Sequence, residues 1–268
     1  MSHEMHAAEI ANQGYTVIPD VLDASLLAKA REALATVMAA ETKVATAKGW
    51  QNASVSVAYL LPQKHHLFRG IGNNPKLLPI IRDVLGDDCR LGAVNGFVVA
   101  PGGEAQKLHM DAPQSTPGTC VYINALHCLD DFHETNGGTR LVPLSHKAAR
   151  QSGTPADDME STAVIIKAAA GSAIAYDGAV LHAASRNNTA LPRRSLHLYY
   201  RRAWALPQWD YPRSLSRPVR AMLTEEEKTL FGFYDIAHLY DPWTHDTTRT
   251  FPHPRWKRIA KHLLRHLR

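Results

Sequence analysis

Between residues 89 and 204 the chain carries seven short segments rich in Val, Ile, Tyr and Thr: 91–100, 119–129, 139–143, 161–167, 172–176, 179–185 and 195–204. Gly, Pro, Asn and Asp separate them. β-Branched and aromatic residues suit a pleated, half-buried surface, and the separators supply turns. Seven such segments with no long helical period among them exclude a parallel β-α-β sheet. They predict a β-sandwich or barrel.

The flanks read differently. Residues 14–19 (Gly-Tyr-Thr-Val-Ile-Pro) form a short β-prone run after a first helix. Asp23 caps a second helix with Leu26, Leu27, Ala30, Leu34, Val37 and Met38 at helical spacing. Residues 41–54 have no clear period and read as a loop carrying Trp50. Pro75 fits the first turn of a further helix that Gly86 ends. Thr224 followed by three glutamates predicts a short helix over 224–231. The expected organisation is one domain over 1–268: helical support to residue 88, a β core over 89–204, and an extension over 205–268.

The chain of 268 residues carries a net charge of +5, which invites a nucleic-acid or anionic-membrane reading. Six of its 30 basic residues lie within 255–268, where Trp256, Ile259, Ala260, Leu263, Leu264 and Leu267 draw an amphipathic helix. The first 254 residues then hold 24 basic and 25 acidic groups, so the excess is a property of the tail. No nucleic-acid partner is expected, and no apolar run reaches the ~18 residues that span a bilayer. The start lacks a signal-peptide pattern, and Cys89, Cys120 and Cys128 form no C-x-x-C pair. A cytoplasmic protein with free thiols is expected.

The sharpest chemical feature is His109-Met110-Asp111. In an extended chain residues i and i+2 face the same way, so an imidazole and a carboxylate can reach one ion together. Two histidines and a carboxylate form the facial triad of non-haem iron(II) oxygenases. His182, 71 residues after Asp111 in a strand-like run, is the candidate third ligand. Arg193 opens the next such run and is the residue type suited to gripping a carboxylate. It also reads as half of an exposed basic pair with Arg194. His127, His133 and His146, with Cys120 and Cys128, fit no zinc spacing, and His197 reads as a barrel residue.

Taken in order, these stretches resemble the phytanoyl-CoA dioxygenase family of Fe(II)/2-oxoglutarate-dependent oxygenases. The similar segments are residues 14–20, 101–111 (with Gln106-Lys107-Leu108-His109-Met110-Asp111), 129–146 and 177–194. The resemblance implies a mainly β fold with flanking helices, a double-stranded β-helix or cupin-like jelly roll. It implies that His109, Asp111 and His182 hold iron, and that Arg193 pairs with the distal carboxylate of 2-oxoglutarate. Gln106 and Thr139 match cosubstrate positions in relatives resembling fungal alkaloid and meroterpenoid oxygenases. An aspartate at 111 disfavours halogenation, for which the family needs a small residue there. The chain departs from the family at Leu144 and Ala183, where glycine is usual.

The implied reaction consumes Fe(II)-bound 2-oxoglutarate and O2, yields succinate and CO2, and hydroxylates or desaturates an unactivated carbon of a small organic metabolite, as in secondary metabolism. No nucleotide-binding loop favours a coenzyme-A thioester. Trp50, Asn52, Tyr59 and Trp204 are candidate substrate contacts, though the same aromatics also suit helix packing. The competing readings are a non-catalytic metal-binding jelly roll and a binder of anionic surfaces through the terminal helix. Oligomeric state is not legible.

Overall fold

The first helix, α1 (His3–Gln13), stops at Gly14, whose backbone adopts φ 99° and whose N–H donates to Ile10 O. A Cβ at Gly14 would lie 2.6 Å from Val180 Cγ2, so the turn needs glycine for both its left-handed backbone and its close approach. The computed structural model describes residues 1–49, 51–111, 119–152 and 159–235, with the backbone alone at 150–152. Residues 1–233 fall in one compact unit, to which everything below refers. The terminal amphipathic helix expected at 255–268 lies outside the described residues.

β1 (Tyr15–Ile18) follows, then α2 (Ala24–Ala47), capped by Asp23 Oδ1 accepting from Leu26 N at 2.8 Å. This helix runs to Ala47, through the first half of the stretch expected to be loop. The extension is amphipathically weak, and the hydroxyls of Thr42 and Thr46 donate to the carbonyls one turn back. β2 (Val55–Ala58) was not anticipated; its four residues are too few to show a period. α3 (Leu78–Leu85) begins later than expected, with Pro79 in its first turn and Pro75 in the turn before. Gly86 ends it as expected, at φ 96°.

The β core comprises β3 (Arg90–Val99), β4 (Tyr122–Cys128), β5 (Thr139–Leu141), β6 (Val164–Ile165), β7 (Ala173–Asp177), β8 (His182–Ala184) and β9 (Arg193–Arg201). Every expected segment thus contains a strand. The 161–167 segment holds just two strand residues after a 3-10 turn at Glu160–Thr162. All pairings are antiparallel. One sheet has the order β1-β7-β4-β9-β3-β2 and the other β6-β5-β8. Two antiparallel sheets with helices outside them form the expected jelly roll. α4 (Ser145–Ser152) follows β5, and α5 (Glu225–Leu230) carries the expected Thr224 cap with a reciprocal Glu227 capping box.

Helix α2 packs on the outer face of the large sheet. Leu34 is fully buried, and its Cδ1 occupies the space of an absent Cβ at Gly96 on β3. Burying a leucine side chain contributes roughly 2 kcal/mol. With that face covered by helices, the inner face is left for the space between the sheets.

Candidate functional site

That space is a cavity of about 450 Å³. The large sheet contributes Asn95, Phe97, Asn124, Arg193 and His197, and the small one Thr139 and His182. The segment before Asp111 is strapped along the edge of β8. Gln106 N donates to Ala184 O at 2.9 Å, and Gln106 Oε1 accepts from Ala184 N at 3.0 Å. Three residues further along this strap, His109 and His182 form an antiparallel bridge. The tripeptide and the distant histidine are thereby placed side by side by backbone bonds.

His109, Asp111 and His182 gather one donor atom each within 4.8 Å, the one such cluster among the described residues. His109 Nε2 lies 3.7 Å from Asp111 Oδ1, and His182 Nε2 lies 3.4 Å from Asp111 Oδ2. Each imidazole is oriented by its other nitrogen. Nδ1 of His109 meets Lys107 O at 3.0 Å, and Nδ1 of His182 meets Val180 O at 3.0 Å. A carbonyl can only accept, so each Nδ1 carries the proton and each Nε2 offers a lone pair to the site. Asn124 Nδ2 donates to Asp111 Oδ2 at 2.8 Å, holding the carboxylate. The walls around Asp111 oppose its charge, but the hydrogen bond and charge that His182 brings when its Nε2 also carries a proton, backed by the charge of His109, hold its carboxyl below the ordinary value; a bound cation would take over that role. Two neutral imidazoles and an ionised carboxylate suit a borderline divalent ion such as Fe(II).

Arg193, at the start of β9, is buried and lines the same cavity, so the exposed-basic-pair reading fails for it. Arg194, facing the other way, pairs with Asp130 at 2.7 Å. Arg193 has no carboxylate partner among the described residues. Its Nη1 donates to Ser195 Oγ at 3.1 Å, its Nε is buried without a partner, and its guanidinium lies 4.2 Å from the Phe132 ring centroid. Burial pulls its pKa down to about 10, so it stays charged at neutral pH. A buried cation without an anion costs several kcal/mol. This cradle fits a carboxylate such as the distal end of 2-oxoglutarate.

Gln106, Thr139 and Tyr59 also line the cavity, and Asn52 and Trp204 do not. Asn52 Oδ1 accepts from Ser54 N and Val55 N, so its side chain shapes the turn into β2. Trp204 is 65% exposed on the surface, and its neighbours Leu206, Pro207 and Gln208 reach the cavity instead. Trp50 lies outside the described residues. Asn124, Ser195 and His197 went unrecognised as site residues. Counting in steps of two from Arg193 along β9 finds the last two, since alternate residues share a face.

Leu144, where the family has glycine, adopts φ 66°. The left-handed geometry persists there without glycine. Ala183 needs no such freedom, being a buried residue of β8. Cys89 and Cys128 are buried thiols outside any disulfide.

Known proteins are similar to this chain in sequence or in fold. A Mycobacterium tuberculosis protein described as uncharacterized is 27% identical over 232 residues, covering 82% of this chain and 83% of its own. The dioxygenase af480 of Aspergillus fumigatus is 26% identical, covering 70% of this chain and 61% of its own. The crystal structure of SnoK, a non-haem α-ketoglutarate-dependent carbocyclase from nogalamycin biosynthesis, superposes with a TM-score of 0.63 at 21% identity, over 76% of this chain and 85% of that one. The phytanoyl-CoA dioxygenase family matches residues 10–195, a span that contains the strap, the whole small sheet, the large sheet up to the start of β9 and the buried arginine, and the chain belongs to that family of Fe(II)/2-oxoglutarate-dependent oxygenases.

Proposed function

We propose that His109, Asp111 and His182 hold the catalytic Fe(II) and that Arg193 receives the distal carboxylate of 2-oxoglutarate, with Gln106 and Thr139 shaping the wall beside it. The single observation that carries this reading is the pairing of a pre-oriented two-histidine, one-carboxylate cluster with a buried, anion-free arginine in one cavity. Iron(II), 2-oxoglutarate and O2 together supply the oxidising power, with succinate and CO2 as coproducts. The chain's own work is positional. The backbone carbonyls of Lys107 and Val180 fix the tautomers of the two imidazoles. Asn124 holds Asp111, and the Arg193 charge draws the cosubstrate into the space between the sheets.

The substrate is a small organic molecule oxidised at an unactivated carbon, by hydroxylation or desaturation. The setting is cytoplasmic secondary metabolism, a reading supported by the buried thiols of Cys89 and Cys128 and by SnoK's place in nogalamycin biosynthesis. The work is done by a single oxygenase domain.

Calorimetric titration of 2-oxoglutarate into the zinc-loaded protein tests the arginine's role. A bidentate, charge-assisted contact is worth about 2–3 kcal/mol, so Arg193→Met weakens binding by roughly 30- to 150-fold, and Arg193→Lys does not restore it. Unchanged affinity in Arg193→Met removes Arg193 from the site.

A further inference from the structure

Arg193, Ser195 and His197 occupy one face of β9 and form a hydrogen-bonded row. Arg193 Nη1 donates to Ser195 Oγ at 3.1 Å, and Ser195 Oγ lies 3.1 Å from His197 Nε2. Guanidinium only donates, so the direction of the row is set at its buried end. Ser195 Oγ accepts there, and among the described residues its proton has one acceptor, His197 Nε2. His197 is therefore neutral with its proton on Nδ1. Burial, with the Arg193 charge behind it, disfavours a second proton, pushing its pKa down to about 3.

The Nδ1–H has no acceptor among the described residues, although the ring lines the cavity. The ring lies against Phe97 on β3 with centroids 4.0 Å apart and planes 27° from parallel. In the cross-strand row His197 stands between Asn95 and Leu126. The result is a flat aromatic surface that presents the Nδ1–H as a donor, in a wall that also carries Asn95, Asn124 and Gln208.

Charge narrows what can lie there. The charged residues lining the cavity among those described are Arg193, Asp111 and Glu104. Glu104 already pairs with Arg186 at 3.3 Å. Once Arg193 holds the cosubstrate, no lining Lys or Arg remains among the described residues for a phosphate or carboxylate on the substrate.

We propose that His197 is a substrate-positioning residue whose Nδ1–H donates to a carbonyl, hydroxyl or ether oxygen of an uncharged, ring-bearing substrate seated on the Phe97–His197 stack. This rests on the oxygenase reading above, since it assigns Arg193 to 2-oxoglutarate. Ser195 acts through His197 by holding its tautomer.

The test is proton–nitrogen correlation NMR of the histidine rings in the full chain loaded with zinc(II) and 2-oxoglutarate at neutral pH. The proposal requires a neutral His197 with the proton on Nδ1, and loss of that tautomer preference in Ser195→Ala. A proton on Nε2, or a charged ring, overturns it. The second arm adds three probes at saturation: α-tetralone, the hydrocarbon tetralin and the anion α-naphthoate. The ketone shifts the Nδ1–H resonance and the other two do not. No shift with the ketone, or a larger one with the anion, overturns the proposal. His197→Leu weakens ketone binding by about tenfold, one hydrogen bond's worth, while His197→Asn, which keeps a donor near the Nδ1 position, retains it. Equal binding by wild type and His197→Leu also overturns it. Failure of the oxygenase reading shows separately, as absence of 2-oxoglutarate binding in the wild-type protein.

Discussion

His109 and His182 exchange both backbone hydrogen bonds, His109 N to His182 O at 3.0 Å and His182 N to His109 O at 2.9 Å. Two residues 73 positions apart are thus fixed by the main chain before any ion binds. Their rings lie 4.5 Å apart between centroids. The candidate metal site is therefore a property of strand pairing, and its ligands need no ion to bring them together.

Asp111 is held less firmly, because it sits at the end of the strap. Among the described residues, the side chain that steadies it from outside the ligand set is Asn124 on β4. Replacing Asn124 with Leu frees the carboxylate and leaves the sheet intact. Removing such a supporting hydrogen bond typically costs 10- to 100-fold in metal affinity. Competition with a chromophoric chelator under anaerobic conditions measures it; wild-type iron affinity in Asn124→Leu contradicts the role.

Leu144 holds φ 66° with its side chain half open to solvent. Left-handed backbone costs a leucine about 1–2 kcal/mol, and glycine gives back roughly 0.5–1 kcal/mol through its freer unfolded chain. Leu144→Gly is expected to stabilise the protein by up to about 1 kcal/mol, read as a higher denaturation midpoint in urea. A lower midpoint means the leucine side chain contributes more than its exposure indicates.

His127 on β4 is fully buried, and neither ring nitrogen has a partner among the described residues. Burial lowers its pKa from 6.5 to about 4. The unfolded chain therefore takes a proton that the folded one refuses, and stability falls as pH drops from about 6.5 towards 4. His197 acts in the same direction, its pKa being pushed down to about 3. At pH 5 the His127 loss is about 2 kcal/mol relative to neutral pH. His127→Leu removes that share, so its denaturation midpoint changes less between neutral pH and pH 5 than the wild type's. An identical change in both proteins refutes the assignment.

Much of this was legible in the sequence, for identifiable reasons. Short β-rich segments between turn residues showed the two sheets, and His109-Met110-Asp111 carried its geometry in its own spacing. Asn124 and His197 were not legible as site residues, because their meaning comes from register: β4 places Asn124 beneath Asp111, and β9 carries His197 past Ser195. Trp204 and Asn52 misled because residue type alone does not say which way a side chain faces. Trp204 lies on the surface and Asn52 is spent on a turn. The end of α2 was misread because Thr42 and Thr46 are weak helix formers by type, and their hydroxyls bond back along the helix.

The central claim is that His109, Asp111 and His182 together hold the iron that turns over 2-oxoglutarate. Succinate release with iron(II), 2-oxoglutarate and O2, measured for the wild type and for His109→Ala, Asp111→Ala and His182→Ala, tests it most directly. The account predicts succinate from the wild type and a fall to the protein-free background in all three variants while each remains folded. Wild-type succinate release from folded His109→Ala or Asp111→Ala would contradict it.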